Sequence, residues 1–101
     1  MTIPAVLLLV NLVSGTFSWD YPADAPALTG FQFTCNGAPA GPPVAPGART
    51  VAVSAIVSAP GEYTCAIAAV NEFGTSEPSN AVAFKAGLAP ASPSGLRIVI
   101  Q

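Results

Sequence analysis

An all-β domain is the fold class this sequence predicts, and three observations predict it. Eleven prolines and nine glycines are spread along the 101 residues rather than gathered in one block. Between them lie short runs rich in Val, Ile, Phe and Thr, side chains that suit a pleated, half-buried surface. Beyond the first fifteen residues, no stretch of helical length repeats its apolar positions three and four apart without a proline or glycine intervening. A chain of this length supports one packed core, and helix is expected to be almost absent.

The first fifteen residues, MTIPAVLLLVNLVSG, carry no charge and could be an export signal or a strand. A signal wants a basic start, an apolar stretch and a small-residue cleavage site. The first basic residue here is Arg49, and Asn11 interrupts the apolar run. A membrane span would need about twenty apolar residues. The segment therefore reads as the first strand, with VLLLVNL at its centre.

The next run, TFSWDYP, places Phe17 and Trp19 on one face and Thr16, Ser18 and Asp20 on the other. Pro22 ends it and ADAPA makes a loop. LTGFQFTCNG supplies a strand with Phe31, Phe33 and Cys35 on one face, closed by Asn36-Gly37, a hairpin signal. APAGPPVAPGA is too rich in proline for a central strand and reads as an edge or loop. RTVAVSAI reads as a strand with Val51 and Val53 on one face. Ala59-Pro60-Gly61 turns the chain into EYTCAIAAVN, whose inward set is Tyr63, Cys65, Ile67 and Ala69. EFGTSEPS is a loop, and NAVAF is a last strand facing inward through Val82 and Phe84.

Taken in order, SWDYP, LTGFQF, PGEYTCAIAAVN and GTSEPSNAV resemble the fibronectin type III family, a seven-stranded immunoglobulin-like β-sandwich. The resemblance runs from about Ile3 to Ala86. It implies that Trp19 fills the core and that Tyr63 is the corner tyrosine whose hydroxyl ties a turn between strands. Gly15 departs from the pattern, standing where an apolar residue is usual. A true immunoglobulin domain places its first cysteine before the core tryptophan. Here Trp19 precedes Cys35 and no other tryptophan exists. The expected organisation is a fibronectin type III-like domain at 1–86 and, at 87–101, a Pro/Ala/Ser linker ending in a β-prone arm.

Within that fold Cys35 and Cys65 share the inward phase on neighbouring strands. A cross-strand bridge is sterically open to them; two reduced, buried thiols acting as small hydrophobes is the favoured reading. No histidine is present, which removes the usual general base and the commonest metal ligand. Asp20, Asp24, Glu62, Glu72 and Glu77 fall mostly in turns and read as solvated charges rather than an acid and base pair. No enzyme, cofactor or metal site is expected. Half of the residues, 51%, are hydrophobic and only 8% are charged, against about a quarter in ordinary domains. A net charge of −2 offers no field that attracts nucleic acid or an anionic membrane.

What remains is a non-enzymatic structural or interaction module with protein partners. The chain lacks an RGD, a WSxWS and any N-x-S/T sequon, so the marks of animal adhesion and receptor modules are absent. Phe73, at the tip of EFGTSEP, is a candidate contact, with a ring folded back on its own domain the alternative. The arm LRIVIQ places Leu96, Ile98 and Ile100 in alternation, a strand that the seven-stranded scheme leaves unassigned. It either folds onto its own sheet edge or pairs with a neighbouring subunit. The resemblance implies a small virion accessory of a tailed bacteriophage, decorating the capsid or belonging to the tail or collar. Its partners there are identical copies and a shell protein. The rival expectation is a secreted or cell-surface adhesion or carbohydrate-adjacent module, and a glycan ligand is left open.

Overall fold

The computed structural model describes residues 8–22, 25 and 27–100. Val6 and Leu7 of the first expected strand, and Asp24, lie outside the described residues. Eight strands and one helical turn follow in order: β1 (Leu8–Asn11), β2 (Thr16–Ser18), β3 (Gly30–Cys35), β4 (Ala38–Val44), β5 (Thr50–Ala52), α1 (Val53–Ile56), β6 (Gly61–Asn71), β7 (Gly74–Thr75) and β8 (Val82–Gly87). Six of them form a mixed sheet in the order β1-β8-β6-β3-β4, with β7 paired to β6. The remaining two, β2 and β5, form a small antiparallel sheet.

The two sheets face each other across aromatic rings. Phe17 of β2 lies 4.9 Å from Phe33 and 5.7 Å from Phe84, and Trp19 lies 5.4 Å from Phe31 and 5.6 Å from Phe33. Period-two alternation produces this: Phe31, Phe33 and Cys35 all point inward from β3 and are buried. From β8, Phe84 and Ala86 are buried in the same way. Arg49 covers one end of the core, its guanidinium 5.6 Å from the Tyr21 ring and 5.5 Å from that of Phe31.

β3 and β4 are joined by a two-residue turn at Asn36-Gly37, both at positive φ (53° and 81°), the geometry that suits the twist of the flanking strands. Asn36 also binds β6, accepting from the Thr64 N–H at 2.9 Å through its side chain. β4 is the edge strand, and Pro39, Pro42 and Pro43 leave it few N–H groups to offer a neighbour.

Four expectations are corrected here. The strand expected over RTVAVSAI stops at Ala52, and Val53–Ile56 turn helically. Val53, Ile56 and Val57 are all buried, which helical spacing permits; an extended strand would point the adjacent Ile56 and Val57 to opposite faces. The loop EFGTSEPS contains β7. Beyond β7, Ser76 and Ser79 accept from the Ala69 and Ile67 N–H groups through their hydroxyls, continuing the edge of β6 by side chains. Val82 has the inward phase yet stays 38% exposed. Finally, Cys35 and Cys65 are directly opposite on β3 and β6 and are joined as a disulfide, not left as thiols.

β1 runs parallel to β8, with Leu8 opposite Phe84 and Asn11 opposite Gly87. Gly15 explains how the chain turns from β1 into β2: an added Cβ would lie 2.4 Å from the Val10 side chain and 2.9 Å from the Asn11 carbonyl. A glycine stands at this position because the chain passes close to the Val10 side chain and the Asn11 backbone. No helix of the described residues is long and apolar enough to cross a membrane.

Candidate functional site

Among the described residues no three metal-ligating side chains gather, and Asp20, Glu62, Glu72 and Glu77 are all exposed. Trp19 packs half-buried against the core, its indole nitrogen buried without an acceptor among the described residues. Tyr63 donates its hydroxyl to the Ala59 carbonyl at 2.7 Å, tying β6 to the turn before it. Tyr63→Phe is expected to cost about 1 kcal/mol, the net worth of one such bond. Thermal unfolding would read it as a fall of about 4–8 °C.

The surface features are apolar. Phe73 projects from the β6–β7 turn, 89% exposed, and does not fold back. Beyond β8, Leu88–Ile100 form no strand, and Leu96, Ile98 and Ile100 are 102%, 89% and 89% exposed. The arm is therefore not paired with its own sheet.

One edge of the small sheet is also open. The Val53 N–H donates to the Gly15 carbonyl at 2.9 Å and the Trp19 N–H to the Arg49 carbonyl at 3.0 Å. Residues 15, 17 and 19 therefore bond toward β5, and the alternation of an antiparallel ladder turns the N–H and C=O groups of Thr16 and Ser18 the other way. No described strand lies on that side.

Along this edge runs a cleft between β2 and the β1-β8 side of the large sheet. Its first part, about 370 Å³, is lined by Phe17, Trp19, Phe33, Ile67 and Val82, with Asp20 at its rim. Its second, about 350 Å³, is lined by Leu8, Val10, Phe17, Val82 and Phe84. Phe17 and Val82 belong to both, so the cleft is continuous.

Comparison with protein-family models, with curated protein sequences and with solved structures returns no match.

The cleft was not legible in sequence because the apolar residues of its floor, such as Phe17, Trp19, Phe33 and Phe84, read as core. Its signal was Val82: alternation counts it as buried with Phe84, whereas it remains 38% exposed, and Leu8 beside it on β1 is 55% exposed. Their exposure marks a core face that the described residues leave uncovered.

Proposed function

We propose that the chain is a fibronectin type III-like β-sandwich acting as a non-enzymatic interaction module, anchored to protein partners through β1 and its C-terminal arm. The observation that carries this is the arm itself. Three alternating apolar side chains, Leu96, Ile98 and Ile100, stand in solvent without a strand partner among the described residues. Exposed apolar segments of this kind are costly unless a partner covers them. The thinly charged surface supports the same reading, since few charges oppose close packing of copies.

The setting we propose is the particle of a tailed bacteriophage, with the domain as a rigid knob and the arm as its attachment. It rests on the resemblance and on the exposed apolar arm. Many copies on a lattice would compensate weak single contacts. Proteomics of purified particles tests it: the expected result is the chain present in many copies per particle. Absence from particles would end the virion reading, and a single-digit copy number would move it from capsid to tail or collar.

A secreted or cell-surface module is the second reading, favoured by the Cys35–Cys65 bridge, since disulfides persist in oxidising compartments. Intact mass of the natural protein separates the two. Removal of the first fifteen residues would favour secretion.

A further inference from the structure

We propose that the cleft along β2 is a receptor for the C-terminal arm of a second copy of this chain. The pairing rests on the reading of the arm as an anchor and names what it anchors to.

The two surfaces match in chemistry. The cleft offers backbone groups at Thr16 and Ser18 and an apolar floor at Phe17, Phe33 and Val82. The arm offers a segment with free backbone and apolar side chains at every second position. Laid antiparallel with Arg97 opposite Asp20, the arm sets Ile98 beside Trp19, Val99 opposite Ser18 and Ile100 beside Phe17. Ile98 and Ile100 then face the cleft, and Arg97 and Asp20 meet on the outer face as an opposite-charge cross-strand pair. Of the antiparallel registers, this one brings Arg97, the basic residue of the arm, directly opposite Asp20, the one acid lining the cleft among the described residues. Two edges of the large sheet fit less well: prolines blunt β4, and β1 presents Leu9, 82% exposed, to solvent.

The spacer favours a second copy over the arm's own cleft. The arm leaves β8 at Gly87, while the part of the cleft beside Ser79, Val82 and Asp20 lies at the start of that strand. Pro90 and Pro93 favour an extended path for the intervening Leu88–Ser94, which opposes a reversal within it and carries the arm outward by up to about 23 Å before Gly95, at a φ of 70°. A copy that gives its arm while its own cleft is empty can repeat the contact head to tail, or two copies can exchange arms and close.

Two complementary variants of the full chain test the pairing by mass in solution. Ile98→Asp with Ile100→Asp disables the arm and leaves the cleft intact; Val82→Arg puts a charge into the cleft and leaves the arm intact. The unmodified chain is expected to associate with rising concentration, and each variant alone to remain monomeric. Their equimolar mixture should form a one-to-one complex of twice the 10.1 kDa monomer mass, with a shift in emission from Trp19, the sole tryptophan. If Val82→Arg loses its far-ultraviolet β signature, Ser18→Pro replaces it, deleting an edge N–H instead of filling the cleft.

An unmodified chain that stays monomeric at every concentration would overturn the proposal, its cleft then being covered by its own arm or by residues 1–7. So would a Val82→Arg variant that still self-associates, because arm-to-arm contact would explain that. A chain that is monomeric in solution but lost from particles when the arm is disabled would overturn the pairing and leave the anchoring reading standing.

Discussion

Phe84→Ala is expected to destabilise the fold by about 3–5 kcal/mol, the range for removing a buried aromatic ring. Phe84 is 2% exposed and sits at the centre of β8, between the two sheets. Its ring meets Phe17 of the small sheet edge-on at 5.7 Å and Tyr63 of β6 at 5.7 Å. Deleting it removes contacts on both sheets at once. The neighbours are held by separate ladders, β2 by β5 and β6 by β3, so they cannot close on the void without breaking backbone bonds. With domain stabilities of about 5–15 kcal/mol, such a loss takes a large share of the total. Urea unfolding is the measurement, and a midpoint lowered by about 1.5 M or more is expected for a slope of about 1–2 kcal/mol/M. Phe73→Ala, removing a ring that is 89% exposed, is the control and should stay within about 0.5 kcal/mol. Equal effects from the two would mean that Phe84 does not join the sheets.

The contrast between these phenylalanines also marks how far the sequence could be read. Alternation placed Phe31, Phe33, Cys35 and Phe84 in the core, because side-chain direction in a strand is set by residue parity alone. Asn36-Gly37 announced its turn because few residues tolerate positive φ at two successive positions. The proline-rich APAGPPV could be kept out of the sheet's centre, as an edge or a loop, for want of N–H donors. Parity says nothing, however, about whether another strand arrives to cover a face. Val82 and Phe84 have the same phase, yet one is 38% exposed and the other 2%. The helical turn at Val53–Ile56 escaped for a related reason: four residues are too few to establish a period, and only the tertiary demand to bury both Ile56 and Val57 selects it. The direction of β1 was equally hidden, since an apolar strand reads alike whether it pairs parallel or antiparallel.

The open cleft and the free arm acquire meaning together. A cleft beside an unpaired edge exposes apolar floor, and an unpaired apolar arm exposes side chains; each alone is an aggregation hazard. Natural edges are guarded, as β4 is by its prolines. That β2 is not guarded in the same way, while the chain carries a strand-like arm without a place, is the physical ground for pairing the two.

Removing the Cys35–Cys65 bridge by Cys35→Ala with Cys65→Ala should cost about 3.5 kcal/mol, the loop-closure value for a sequence separation of 30. In thermal unfolding this corresponds to a fall of about 15 °C, at the lower sensitivity for a domain of this size. The bridge joins residues that the ladder already sets opposite each other, with Cα atoms 4.1 Å apart, so native pairing persists without it. Its effect therefore falls on the unfolded chain. The closed loop contains β4, β5 and α1, including the short β5 that holds β2 against the core. Without the bridge this stretch is free to expand on unfolding, and the dependence of stability on denaturant should steepen as more surface becomes exposed. Two readouts are thus expected to move together: a lower midpoint and a larger slope, in the double variant and in the reduced natural chain alike. A lowered midpoint with an unchanged slope would instead place the bridge's contribution in the folded sheet, and a chain insensitive to reductant would mean that the natural protein carries free thiols.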